Sequence, residues 1–125
     1  MIEYVLMQEK HVPQVAQLEK ECFHDPWSEN SIASELKNPL SLWLVAVDGQ
    51  RVAGYIGSQT VMDESDMMNI AVSSQYRRMG IAQKLVERLM TLLREKDVYS
   101  LTLEVRASNE PAKALYSKLG FHQVG

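Results

Sequence analysis

The stretch NIAVSSQYRRMGIAQKLVERLMTLL, residues 69–93, changes character twice. Its first residues end an apolar run from Met67 to Val72 that reads as a strand, and Ser73–Met79 forms a short basic loop. From Gly80 onward Ile81, Leu85, Leu89, Leu92 and Leu93 fall on one helical stripe, with Lys84, Glu87, Arg88 and Arg94 outside it. A strand, a tight loop and a helix in that order aim the free N–H groups and the positive dipole end of the helix at the concavity of the loop. Two readings of Gly80 follow. It is a turn residue before a helix, or it lets an anion approach the backbone, with Ala82 small beside it and Arg77 and Arg78 adding charge. The stretch lacks the Gly-Lys-Ser/Thr ending of a Walker loop and carries one glycine where a dinucleotide fingerprint needs three.

Working outward, the pattern of elements is mixed. IEYVLM reads as a short strand. Val12, Val15, Ala16, Leu18 and Cys22 recur at helical spacing between His11 and Phe23, with Pro13 tolerated in the first turn. After Asp25-Pro26-Trp27, Ser28 caps a second helix through Leu36, which Asn38-Pro39 ends. Leu42–Val47 and Val52–Gln59 are strand-like and joined by Asp48-Gly49, a hairpin signal. Beyond the long helix, Leu101, Leu103 and Val105 alternate with Thr102 and Glu104 as a strand with two chemically different faces. Ser108-Asn109-Glu110-Pro111 then starts a helix carrying Ala112, Leu115, Tyr116 and Leu119 and stopping at Gly120, and FHQV is a final strand. The order predicts an α/β (α+β mixed) fold in one domain spanning residues 1–125: an antiparallel meander followed by a parallel segment with right-handed crossovers.

Composition narrows the function classes. A chain of 125 residues, 46% hydrophobic, supports one core. A formal charge of −3 and scattered basic residues argue against direct nucleic-acid binding. The single cysteine, Cys22, permits no intrachain disulfide, and neither it nor His11, His24 and His122 show metal-ligand spacing, so no metal is expected. The N-terminus has no signal-peptide pattern and no apolar run is long enough to span a membrane; the expectation is a soluble, cytoplasmic protein.

A second stretch, LEVRASNEPAKALYSKLGF (residues 103–121), decides between the two readings of Gly80. Together with residues 69–82 it resembles the GNAT superfamily of N-acetyltransferases. NIAV, QYRRMGIA, LEVRASN, ALYSKLGF and the upstream PWS are similar to its RimI branch, the N-terminal alanine acetyltransferases that modify a small-subunit ribosomal protein. The resemblance covers nearly the whole chain and implies a GNAT fold, a central mixed sheet flanked by helices. It implies acetyl-CoA as acetyl donor, with the pyrophosphate wrapped by Arg77, Arg78, Met79, Gly80, Ile81 and Ala82, and the pantetheine arm along the strand from roughly Asn69 to Val72, with Ile70, Ala71 and Val72 as the contacts. Asn109 would contact the pantetheine region. Glu104 is then the general base and Tyr116 the acid that supplies a proton to the departing thiolate, with a strand N–H near Ile70–Val72 holding the oxyanion.

Each assignment has a plainer competitor. A strand glutamate is ordinarily solvated, and a tyrosine spaced with Leu115 and Leu119 is ordinarily a core aromatic. Arg77 and Arg78 also read as solvated loop charges. Cys22 beside His24 hints at a nucleophile and base, but a lone cysteine on an apolar helix face reads as a small buried residue.

The acceptor has a physical side too. An α-amino group of pKa about 8 is roughly one-tenth neutral at pH 7, whereas a lysine of about 10.4 is neutral in fewer than about one molecule in a thousand, so an N-terminal substrate asks less of a carboxylate base. The run Asp63-Glu64-Ser65-Asp66 reads as a solvated loop, or as an attractor for a basic ribosomal-protein terminus. Chains of the RimI branch continue past the LGF strand into a closing hairpin, whereas this sequence stops at Gly125. The expectation is a retained acetyl-CoA half-site, weakened acceptor recognition and an exposed edge prone to pairing as an edge-strand dimer. A lysine or small-amine acetyltransferase and a non-catalytic acyl-CoA-binding subunit are the alternatives.

Overall fold

The computed structural model describes residues 1–104 and 109–122. Five strands form one sheet in chain order: β1 (Ile2–Leu6), β2 (Ser41–Asp48), β3 (Arg51–Val61), β4 (Glu64–Val72) and β5 (Ser100–Thr102). The first four pair antiparallel and β5 joins β4 in parallel. Helices α1 (Val12–Cys22) and α2 (Glu29–Glu35) connect β1 to β2, α3 (Ile81–Glu95) connects β4 to β5, and α4 (Glu110–Lys118) follows. This is the mixed α/β sheet flanked by helices that the sequence predicts. Among the described residues no helix is long and apolar enough to cross a membrane.

Helices cover both faces, so the central strands bury residues of both parities. Trp43, Val45, Val52, Tyr55 and Ala71 pack against Val12, Val15, Ala16 and Leu18 of α1 and Ile32 of α2. Leu44, Ala46, Ala53 and Ile56 pack against Ile81, Leu85, Val86, Leu89 and Leu93 of α3 and Tyr116 of α4. The Ser28 side chain accepts from the Ser31 N–H and caps α2 as expected. The β2–β3 turn comprises Gly49 and Gln50, with Gly49 left-handed at φ +62°; Asp48 pairs with Arg51 and still belongs to the strands, so the turn lies one residue later than the Asp48-Gly49 signal suggests.

Three expectations need correction. The acidic run is no loop: Glu64 opens β4, Ser65 is buried, and only Asp63 belongs to the preceding turn. The strand expected over Leu101–Val105 is shorter, because β5 pairs with β4 only at Glu64–Ser100, Ser65–Leu101 and Asp66–Thr102; Leu103 and Glu104 lie past it, and Val105 is outside the described residues. Phe121 and His122 form no strand, and the rest of FHQV is likewise outside them.

A β-bulge sets the faces of β4. Gly57 pairs with Asn69 and Ser58 with Met67, leaving Met68 as the extra residue. A strand alternates faces, so without that insertion Met67 and Asn69 would share a side. With it, Met67 and Ile70 both pack on the α3 side, whereas Asn69 bonds to Glu19 of α1 and Ala71 packs on that same face.

Candidate active site

The site begins where β4 and β5 part. After Asp66 no strand pairs with the outer edge of β4 among the described residues, so the edge from Met67 to Val72 has backbone groups to offer a ligand. Ile70 and Val72 turn their side chains toward the α3 cluster and Ala71 is buried on the α1 side; in the register set by the Ser73 N–H bond to the Ala53 carbonyl, the N–H and C=O groups of Ile70 and Val72 face the open edge and those of Ala71 face β3.

This edge leads into the loop of residues 73–80. Arg78 is left-handed at φ +65° and Gly80 at φ +76°, ψ +15°, the alternation that turns successive N–H groups into one concavity. No side chain caps α3, so the N–H groups of its first turn are open, and a Cβ built on Gly80 would meet nothing within 4 Å. Open amides, a positive helix end and free space beside the glycine suit a phosphate-bearing ligand. Ile81 is buried beneath the entrance, Ala82 is half-buried, and Met79 stands 58% exposed at the rim. Arg78 has no hydrogen bond or ion pair among the described residues and is free to meet an anion. Arg77 is engaged: its Nε donates to the Val72 carbonyl at 3.4 Å and Nη2 lies 4.0 Å from Cys22 Sγ, bracing the end of β4 against the end of α1.

The loop is anchored by residues that sequence reasoning missed. Tyr76 donates to Asp48 Oδ2 at 2.8 Å, Arg51 Nη1 to Gln75 Oε1 at 2.7 Å, and the Ser73 N–H to the Ala53 carbonyl at 2.8 Å. All three tie it to the β2–β3 hairpin.

Glu104 and Tyr116 line one cleft together with residues of α3, β5 and α4, and none of residues 64–82 is among its described lining, so the structure brings these two side chains together apart from the β4 edge and the loop. Leu101 and Leu103 pack toward α3, and Glu104 is exposed, with no hydrogen bond or ion pair among the described residues. Tyr116 is 8% exposed and meets Phe121 edge to face at 5.6 Å and 70°. Burial raises its pKa above the ordinary tyrosine value. Asn109 caps α4: its Oδ1 accepts from the Ala112 N–H at 3.2 Å, which commits the carbonyl half of the amide to the helix.

Two buried carboxylates on the opposite face were also missed. Glu19 accepts from the Trp27 N–H, the Tyr55 hydroxyl and Asn69 Nδ2. Glu35 accepts from Ser41, Trp43 Nε1 and Gln59. The signal for Glu19 was its spacing, four residues after Val15 and three before Cys22, on the apolar stripe of α1.

Comparison with known proteins agrees with this geometry. Residues 12–121 match the model of the acetyltransferase (GNAT) family. The chain is 37% identical over 120 residues to a putative [ribosomal protein bS18]-alanine N-acetyltransferase of Bacillus subtilis, covering 95% of this chain and 80% of that one. It is 39% identical over 114 residues to the [ribosomal protein bS18]-alanine N-acetyltransferase of Salmonella typhimurium, covering 90% and 76%. The crystal structure of the ribosomal-protein-S18-alanine N-acetyltransferase from Escherichia coli superposes with a TM-score of 0.91 at 34% identity, over 100% of this chain and 80% of that one. With a parted β4 edge running into an uncapped helix, and with relatives this similar over most of its length, the chain belongs to the GNAT family of N-acetyltransferases.

Proposed function

We propose that the chain transfers acetyl from acetyl-CoA to the N-terminal α-amino group of a protein, with the alanine-initiated terminus of ribosomal protein bS18 as acceptor. The observation that carries the reading is the open edge of β4 after Asp66, which leads through the loop of residues 73–80 into the uncapped N-terminus of α3; Glu104, two residues past the last β4–β5 pair, and Tyr116 would act from the cleft they share. Acetyl-CoA would be held by the amides of residues 77–82, with Arg78 adding charge, and by the peptide groups of Ile70 and Val72 along the open edge, with Ala71 between them. Asn109 stands at the start of α4 with its Nδ2 left for the pantetheine region.

The chemistry asks for three things: removal of a proton from the amine, support for the charge that develops on the carbonyl oxygen, and a proton for the thiolate. Glu104, exposed and unpaired among the described residues, serves as the base, directly or through water. An α-amine loses its proton more readily than a lysine, which suits a carboxylate base. An N–H on the open β4 edge supports the oxygen. Tyr116, protonated at neutral pH as an ordinary tyrosine is, supplies the last proton.

The test offers acetyl-CoA with a peptide bearing the bS18 N-terminus and with an N-blocked peptide carrying an internal lysine. The expected result is acetylation of the first and little of the second. Glu104→Gln and Tyr116→Phe should each lower kcat by about 10²- to 10⁴-fold while leaving acetyl-CoA affinity in place. Acetylation of lysine alone would transfer the protein to the lysine class, and coenzyme binding without turnover on any acceptor would make it an acyl-CoA-binding subunit.

A further inference from the structure

Glu19 is fully buried on α1, and the chemistry above makes no use of it. Its Oε1 accepts from the backbone N–H of Trp27 at 2.8 Å; its Oε2 accepts from Asn69 Nδ2 at 2.8 Å and from the hydroxyl of Tyr55. The three donors come from the α1–α2 loop, from β4 and from β3. One carboxylate therefore joins the loop over the α1 face to the strand whose edge is open.

The join fixes more than position. A carboxylate only accepts, so the Asn69 amide must turn its nitrogen toward Glu19 and its oxygen away. Asn69 Oδ1 has no partner among the described residues, and no side-chain polar atom among them is fully buried without one, so this oxygen of the half-buried Asn69 keeps some access to solvent. It does so immediately after the extra residue Met68, on the stretch of β4 that has parted from β5. The bulge puts Asn69 on the α1 face, and the bond to Glu19 decides which end of its amide looks out.

We propose that Glu19 is a positioning residue that orients the Asn69 amide, so that Asn69 Oδ1 receives an N–H of the incoming amine at the α1 side of the open edge. The inference rests on the acetyltransferase reading and deepens it. The acceptor is an amine that still carries an N–H to give, held between the α1–α2 loop and β4 before it reaches the base. Tyr55, buried against the same carboxylate, holds the acid in place from β3.

The experiment compares wild type, Glu19→Gln, Asn69→Leu, the double variant Glu19→Gln/Asn69→Leu, and the exchanged pair Glu19→Gln/Asn69→Asp. Each is assayed with acetyl-CoA and the alanine-initiated peptide, with acetyl-CoA Kd and Tm measured alongside. Asn69→Leu should lower kcat/KM for the peptide about tenfold, with acetyl-CoA Kd unchanged within about twofold. Glu19→Gln should lose part of the same factor, because a glutamine both donates and accepts and no longer dictates the amide's direction. The double variant should be no worse than Asn69→Leu alone, a coupling that a purely structural glutamate would not produce. In the exchanged pair the introduced glutamine donates to the introduced aspartate, an oxygen again looks out, and peptide kcat/KM should exceed that of Asn69→Leu.

Unchanged peptide kcat/KM in Asn69→Leu overturns the proposal, as do multiplicative losses in the double variant. A parallel loss of acetyl-CoA affinity in Asn69→Leu overturns it as well. If the proteins carrying Glu19→Gln fail to fold, as Tm and Kd would reveal, Asn69→Leu with Glu19 intact decides alone. A wild type that binds acetyl-CoA but acetylates no peptide fails differently: it overturns the acetyltransferase reading, and this inference with it.

Discussion

The Tyr76 hydroxyl donates to Asp48 Oδ2 at 2.8 Å and thereby fastens the loop before α3 to the β2–β3 hairpin. The bond to Asp48, aided by that carboxylate's charge, raises the tyrosine's pKa above its ordinary value. The Gln75–Arg51 bond and the Ser73–Ala53 bond remain when it is cut. Tyr76→Phe should therefore leave Tm nearly unchanged and weaken acetyl-CoA binding by about three- to tenfold, the cost of holding the open amides less firmly. Calorimetric titration at constant salt checks this, and an unaltered Kd would show that the loop holds its shape without the anchor.

Gly80→Ala separates strain from crowding. The left-handed φ of +76° costs a non-glycine residue about 1 kcal/mol, and a Cβ there meets no protein atom within 4 Å. The stability loss should stop at that figure. A phosphate-bearing ligand lying against the glycine would meet the new methyl, so acetyl-CoA affinity should fall by more than the stability does. Thermal unfolding and titration on one preparation compare the two losses; equal losses would place the ligand elsewhere.

Trp43 lies across Gly57 so closely that a Cβ on the glycine would come within 2.3 Å of Trp43 Cε2. The indole is stacked on Tyr55 at 6.0 Å and meets Trp27 edge-on at 5.6 Å, so it has little room to withdraw. Gly57→Ala should destabilise the fold by about 1–3 kcal/mol, and the near-UV dichroism of the paired tryptophans should change with it. Chemical denaturation of the variant measures the first effect.

These relationships show which parts of the molecule were legible. The α3 stripe and the Ser28 cap are written in neighbouring residues, where a period or a capping side chain is a local property. Gly80 was legible as a left-handed candidate because only a loop-to-helix junction had to be recognised. The bulge at Met68 was not, since a period-two reading of β4 has no knowledge of the register with β3. The parting of β4 from β5 was equally hidden: alternation in residues 101–105 predicts a strand, but whether it has a ladder partner depends on residues 64–66, far away in the chain. Glu19 and Glu35 were passed over because a carboxylate is taken as solvated until its donors are known, and those donors sit on other elements.

Acid sensitivity gives a further check through Glu35. Burial pushes its pKa up, but the hydrogen bonds from Gln59, Ser41, Trp43 and Asn38 together outweigh that and hold it below the ordinary value of 4.5. A carboxylate with a depressed folded pKa contributes stability that is complete above its unfolded pKa and is lost as pH falls through the folded one. Glu35→Gln keeps the size of the side chain and cannot titrate, so it should be less stable than wild type at neutral pH by about 1–3 kcal/mol. That gap should hold steady down to the region of pH 4.5 and close below it as the wild-type carboxylate takes up its proton. His11, whose pKa is lowered from 6.5 by burial and by Lys10, begins to cost stability at higher pH for the same reason of sign, but it does so in both proteins and cancels in their difference. Unfolding free energies of the pair measured from neutral pH downward therefore isolate Glu35, and a gap that persists unchanged far below pH 4.5 would mean that its donors do not favour the ionised form.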